Sequence, residues 1–327
     1  MRSNRRLAFG LALVLAAPTG QARADCSVSE IAELPVKVSD LRALAHVAIN
    51  GTDAALIVDS GDFFNSLTGS AARKAHTSIG PAPKDMVVAG IGGVTEDLAV
   101  AEANDFTFGG ALYHHVNFLV INTELDEGVA GLLGQNILNV ADVEYDLPDG
   151  VVRLFKPTGC DQTMLAYWAK PENVSVVDIR PFDPADPDAQ DTTAEATING
   201  QKIRVEFDTG APRSALSLKA AARAGVRPTD PTSQPAADSW GIARNSRTRT
   251  WIAPFDSFQL GGEKVDRIRL LIGGLDTDAD MLVGADFFLS HRVYVANSQH
   301  KLYFSYTGGP VFQPGAPVVA KPAGAKP

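Results

Sequence analysis

The chain alternates short apolar runs with polar turns, and one such pattern occurs twice. Residues 46–49 and 54–58 are β-rich runs on either side of Asn50-Gly51, and residues 195–198 and 203–207 flank Asn199-Gly200 in the same way. An Asn-Gly pair between alternating apolar runs predicts a β-hairpin. The duplication extends well beyond the hairpin. Ile49-Asn50-Gly51, seven residues, then Asp59-Ser60-Gly61 is matched 149 positions on by Ile198-Asn199-Gly200, seven residues, then Asp208-Thr209-Gly210. Leu67-Thr68 falls on Leu216-Ser217, Gly90-Ile91 on Gly241-Ile242, Gly109-Gly110 on Gly261-Gly262, and Leu132-Leu133-Gly134 on Leu282-Val283-Gly284.

Each copy reads mostly as strand. The Ala-rich stretches at Ala71-Ala72 and Ala220-Ala221 predict a helical turn after each Asp loop. Later apolar runs at 116–121 and 143–155 correspond to 267–272 and 293–304. Regularly spaced short strands with Gly-rich turns imply an all-β architecture of small barrels or sandwiches with short helices.

The ends of the chain differ from these copies. Arg2, Arg5 and Arg6, an apolar run over 7–17 and Ala22-Arg23-Ala24 predict a signal peptide over 1–24 and an exported protein, periplasmic or secreted. The run is too short to span a bilayer, so no stable membrane anchor is expected. The first copy is assigned to 25–160 and the second to 192–307. A linker over 161–191, Pro- and Asp-rich at its end, carries the first strand of the second copy. The Pro, Ala, Gly and Lys tail over 308–327 is expected to be disordered.

Composition narrows the chemistry. At 45% hydrophobic and 20% charged residues the chain is globular, and its net charge of -9 excludes a nucleic-acid surface. Two cysteines and six histidines without HExxH spacing give no zinc motif. No metal is expected.

The candidate chemistry lies in the duplicated turns. A lone Asp-Ser/Thr-Gly tripeptide is at home in any β-turn. Here each follows an apolar strand, Leu56-Ile57-Val58 or Val205-Glu206-Phe207, at the same place in a repeat. In these motifs, taken in order, the chain resembles the retropepsin-like aspartic peptidases of the pepsin-like superfamily. The resemblance covers residues 31–306. It implies two retropepsin-like β-barrel halves in pseudo-twofold arrangement, an acid-protease fold in one monomeric chain. It implies that Asp59 and Asp208 are the catalytic pair, acting on a peptide or protein substrate without a cofactor. Ser60 and Thr209 would hydrogen-bond across the two loops, and Gly61 and Gly210 would let the backbone pass under the carboxylates. Leu132-Leu133-Gly134 and Leu282-Val283-Gly284, each followed by a short helix, would underlie those loops.

Two hairpins would form flaps over the cleft: Gly90, Ile91, Gly92 and Gly93 in the first copy, and Trp240, Gly241 and Ile242 in the second. First and last strands of a half run close together in this fold class, which implies a disulfide between Cys26 and Cys160. Two free thiols are the alternative. The halves also differ. Asp62 follows Gly61 where Ala211 follows Gly210, adding a negative charge that could raise the pKa values of the pair or face the substrate. That difference and the unequal flaps leave a second reading open, an inactive protein of the same fold that binds extended peptides or acts as an envelope scaffold.

Overall fold

The computed structural model describes residues 25–83, 88–90, 93–95, 98–121, 123–181, 191–240, 247–275 and 277–315 of the 327. Each copy closes a six-stranded barrel. In the first, strand Arg42–Ile49 pairs with Thr52–Val58, and the ring continues through Val129–Leu133, Ser66–Thr68, Ala111–Ile121 and Ala99–Phe108 back to Arg42–Ile49. In the second, Thr193–Ile198 pairs with Gln201–Phe207, and the ring runs through Met281–Val283, Ala215–Ser217, Glu263–Gly273 and Thr250–Leu260 back to its start.

The Asn-Gly turns show why the sequence folds this way. Asn50 and Gly51 both have positive φ (48° and 77°), as do Asn199 and Gly200 (48° and 74°). That is the two-residue turn whose twist matches its strands. The Asn side chains also donate to the carbonyls of Ala75 at 2.9 Å and Ala224 at 3.1 Å, tying each hairpin to the end of the following short helix. Those helices, Gly69–Lys74 and Leu218–Arg223, are capped by Thr68 and Ser217, whose hydroxyls accept from the amides of Ala71 and Ala220.

Six strands, continuous with the first barrel through the pairing of Ser27–Ser39 with Arg42–Ile49, join the halves. Their order is Ser175–Asp178, Lys301–Tyr306, His291–Ala296, Asp142–Asp146, Val151–Thr158 and Ser27–Ser39, three strands from each half. At their centre Glu144 lies opposite Tyr294, its own counterpart 150 residues on, so a local twofold axis passes between them. Glu144 is fully buried there and accepts from Arg153 at 2.8 Å and Arg292 at 2.9 Å. The Arg292 guanidinium lies 4.8 Å from the Trp168 ring centroid. Trp168 belongs to the linker, which packs Leu165 and Ala166 with Phe155, Tyr294 and Tyr303 of this sheet.

Cys26 and Cys160 are disulfide-bonded with Cα atoms 4.5 Å apart. The register that sets Ser27 opposite Thr158 brings their positions together.

The tail departs from expectation. Residues 308–315 dock against the second half, because Phe312, 9% exposed, packs 5.3 Å from Phe258 and 6.4 Å from Phe287 between ring centroids. Phe312, with Val311 beside it, supplies enough apolar surface to anchor a segment otherwise made of Gly, Pro and Gln. Among the described residues no helix is long and apolar enough to cross a membrane.

Candidate active site

Both Asp loops leave the ends of barrel strands and are built alike. The amide of Asp59 donates to the Leu133 carbonyl at 2.9 Å, and that of Asp208 to the Val283 carbonyl at 3.0 Å. Each apolar-apolar-Gly strand therefore runs parallel beneath its Asp strand, with Leu133 beside Val58 and Val283 beside Phe207. The next residues continue the match. Gln135 and Ala285 donate their amides to the carbonyls of Asp62 and Ala211, both at 2.8 Å. The amides of Gly134 and Gly284 donate to Asn65 Oδ1 and Ser214 Oγ, both at 2.9 Å. Asn65 and Ser214 are in turn held through their own amides by Asn136 Oδ1 at 3.0 Å and Asp286 Oδ1 at 2.9 Å. A Cβ on Gly134 or Gly284 would press within 2.7 Å of backbone atoms of these loops, so only glycine fits.

The loops meet across the axis. The Ser60 hydroxyl donates to the Phe207 carbonyl at 2.8 Å, and the Thr209 hydroxyl donates to the Val58 carbonyl at 2.7 Å. Gly61 lies directly against the Asp208 carboxylate and Gly210 against that of Asp59, and a Cβ on either would overlap it. The carboxylates of Asp59 and Asp208 therefore lie close together, each against the other loop, and act on one another's charge. Asp59 Oδ1 accepts from the amides of Gly61 and Asp62, and Asp208 Oδ1 from those of Gly210 and Ala211.

Electrostatics separates the two acids. Both are almost fully buried, and burial pushes both pKa values up. Asp59 is pushed further, well above the usual range, by burial and then by the charges of Asp208 and Asp62. The amides of Ala211 and Gly210 and the Asp59 side chain hold Asp208 back. Asp62 itself rises to about 7, chiefly by burial. Tyr145 of the central sheet is fully buried, and burial pushes its phenol well above the usual range.

Some expected site residues lie outside the described residues: Ile91 and Gly92 of the first flap, Gly241 and Ile242 of the second. The strands flanking them pair, with Gly90 opposite Gly93 and Trp240 opposite Arg247. Sequence reading passed over two acids on the second copy's side, Asp191 and Glu206. Glu206 is 5% exposed and its pKa is driven well above the usual range, by burial and then by the charges of Asp191 and Asp208. The signal was available, because the repeat aligns Glu206 with Ile57. Gln135 was also missed. Its Nε2 donates to the Ser60 carbonyl at 2.6 Å, a contact that Ala285 cannot repeat.

Two segments, residues 45–137 and 194–287, each match the family model described as aspartyl protease. Among solved structures, the aspartic proteinase from Irpex lacteus superposes with a TM-score of 0.51 at 12% identity, over 86% of this chain and 98% of its own. Basic 7S globulin from soybean gives a TM-score of 0.43 at 11% identity, over 86% of this chain and 94% of its own. No curated protein matches the chain in a sequence search. The first of these likenesses shows the fold, a pair of β-barrels as in pepsin-like enzymes.

Proposed function

The chain belongs to the aspartyl protease family, and on that premise we propose that it is an exported, monomeric aspartic endopeptidase that activates water between Asp59 and Asp208. The observation that carries the reading is the close approach of these two buried carboxylates, each held by a pair of loop amides. Carboxylates this close cannot both ionise readily and share one proton, as in aspartic proteases generally. We write the shared proton on Asp59, because Asp62 places a further carboxylate beside it. Asp208, ionised, takes a proton from a water lying between the two. Asp59 donates to the oxygen of the scissile carbonyl as the water oxygen bonds to its carbon. The gem-diol collapses when a carboxyl passes a proton to the amide nitrogen and the C–N bond breaks.

The test is digestion of a diverse peptide library by the purified mature chain across pH 3–8. Wild type should cleave, and Asp59→Asn and Asp208→Asn should each lose at least about 1,000-fold in kcat while still binding peptide. Wild-type hydrolysis that neither substitution reduces would exclude the pair. Asp62, with its added charge beside Asp59, favours the second reading, a peptide-binding protein without turnover. Peptide binding without cleavage by the wild type would establish that one instead. N-terminal sequencing of the exported protein should find the mature chain starting at Asp25.

A further inference from the structure

The two walls of the cleft are chemically unequal. Leu56 and Val58 point into the barrel core, as do Val205 and Phe207. Strand alternation therefore turns Ile57 and Glu206 to the same face as Asp59 and Asp208. On the second side the ladder of Thr193–Ile198 with Gln201–Phe207 sets Thr193 opposite Glu206. The amide of Phe207 donates to the Thr192 carbonyl at 2.9 Å, so the pairing continues and brings Asp191 opposite Asp208. Asp191, Glu206 and Asp208 thus form one acidic face. The repeat places Arg42 and Ile57 where the second copy has Asp191 and Glu206, and Arg42 is already paired with Asp126.

Glu206 stands out within this face. The residue is 5% exposed, but its carboxylate oxygens are not fully enclosed and accept no hydrogen bond among the described residues, and Asp191, Asp208 and Arg204 act on it through space. Arg204, two residues back on the same strand face, makes no ion pair among the described residues, and its Nε is buried without a partner. A buried carboxylate without a hydrogen-bond partner is costly unless it stays protonated or meets a cation. Glu206 is two residues from Asp208, about 7 Å along the strand. A lysine or arginine side chain flanking a bond held at the aspartates spans that distance.

We infer that Glu206, supported by Asp191, selects a cationic side chain, lysine or arginine, in the substrate residue next to the scissile bond. This rests on the peptidase reading above, and it adds to that reading the substrate class. The charged neighbours of Glu206 are Asp191, Arg204 and Asp208, while Asp62 and Asp278 act on the rest of the cluster. A cation entering this face ionises Glu206, so its binding expels a proton.

The probes are two peptides with a hydroxyethylene group in place of the scissile amide, one with lysine beside it and one with norleucine. Calorimetry in buffers of different ionisation enthalpy measures affinity and proton release together. Wild type should bind the lysine peptide about tenfold more tightly and release protons with it alone. Glu206→Gln should bring the two affinities within about twofold and abolish the release, with norleucine binding kept. Equal affinities in wild type, or an unchanged preference in Glu206→Gln, overturns the inference. If Glu206→Gln does not fold, Asp191→Asn takes its place under the same criteria. Cleavable versions of both peptides separate the two readings. Lysine-selective binding without hydrolysis removes the peptidase and keeps the site, whereas equal hydrolysis of both keeps the peptidase and removes the site.

Discussion

Ser60 and Thr209 exchange hydrogen bonds across the axis, the amide of each donating to the hydroxyl oxygen of the other at 3.0 Å. Each hydroxyl also donates onward to a carbonyl of the opposite strand, so the two Asp loops are locked as one unit. Thr209→Val keeps the shape of the side chain and leaves the Ser60 amide and the Val58 carbonyl unpaired in a buried place. A loss of about 2–5 kcal/mol in stability is expected. A fall in kcat of more than about tenfold should accompany it, because the carboxylates lose their fixed spacing. Urea unfolding and steady-state kinetics read the two effects. Ser60→Ala should behave alike.

Asp62 should make stability depend on pH. Its folded-state pKa of about 7 lies above the ordinary value for an aspartate. At pH 4 and below, both states hold the proton and Asp62 has little effect. Between pH 4 and 7 only the folded state holds it, so stability falls as pH rises and the loss is complete above 7. Asp62→Asn should therefore change little at pH 4 and gain roughly 1–3 kcal/mol at pH 8, measured by thermal unfolding across pH. Its charge also raises Asp59. The same substitution should move the alkaline limb of the pH–rate profile to lower pH.

The disulfide between Cys26 and Cys160 spans 134 positions. Closing so long a loop restricts the unfolded chain, and its removal should cost about 4 kcal/mol. Equilibrium unfolding of a Cys26→Ser, Cys160→Ser double variant checks this. The Asp pair lies in loops that the bond does not touch, so kcat should stay within about twofold of wild type where the variant is folded.

The docked tail should support the second Asp loop. The amide of Gln313 donates to Asp286 Oδ2 at 2.8 Å, while Asp286 Oδ1 holds Ser214, which receives the amide of Gly284. Phe312→Ala removes the anchor of that segment and should cost about 2–4 kcal/mol. Removal of residues 310–327 should do the same and lower kcat, whereas removal of 316–327 alone should leave both unchanged. Thermal unfolding and kinetics of the three variants distinguish these outcomes.

Much of the fold was legible because duplication turns weak local signals into strong ones. The Asn-Gly hairpins, the Ala-rich helical turns and the strands beneath the Asp loops all recur at near-constant spacing, and the two family matches fall on the same repeat. Contacts that break the repeat were harder to read. The tail offers one phenylalanine in a segment rich in Gly and Pro, and its docking depends on Phe258 of a barrel strand and Phe287 of a short helix coming together. Glu206 was read only as part of the apolar strand before Asp208. Its surroundings come from Asp191 and Asp208 on paired segments of the second half, which no local pattern encodes. Arg292 and Glu144 lie 148 positions apart and meet only once the central sheet joins the halves.

Glu144 facing Tyr294 on the twofold has a further consequence. A cleft between identical halves would accept an extended chain in either N-to-C sense with equal energy, because rotation about the axis exchanges the two arrangements. Here the halves are covalently one polypeptide, so each wall has been free to change without the other. Ile57 in one copy answers Glu206 in the other, and Asp62 follows one loop where Ala211 follows the other. The groove therefore has a polarity, and a chain laid across Asp59 and Asp208 in one direction is a different ligand from the same chain reversed.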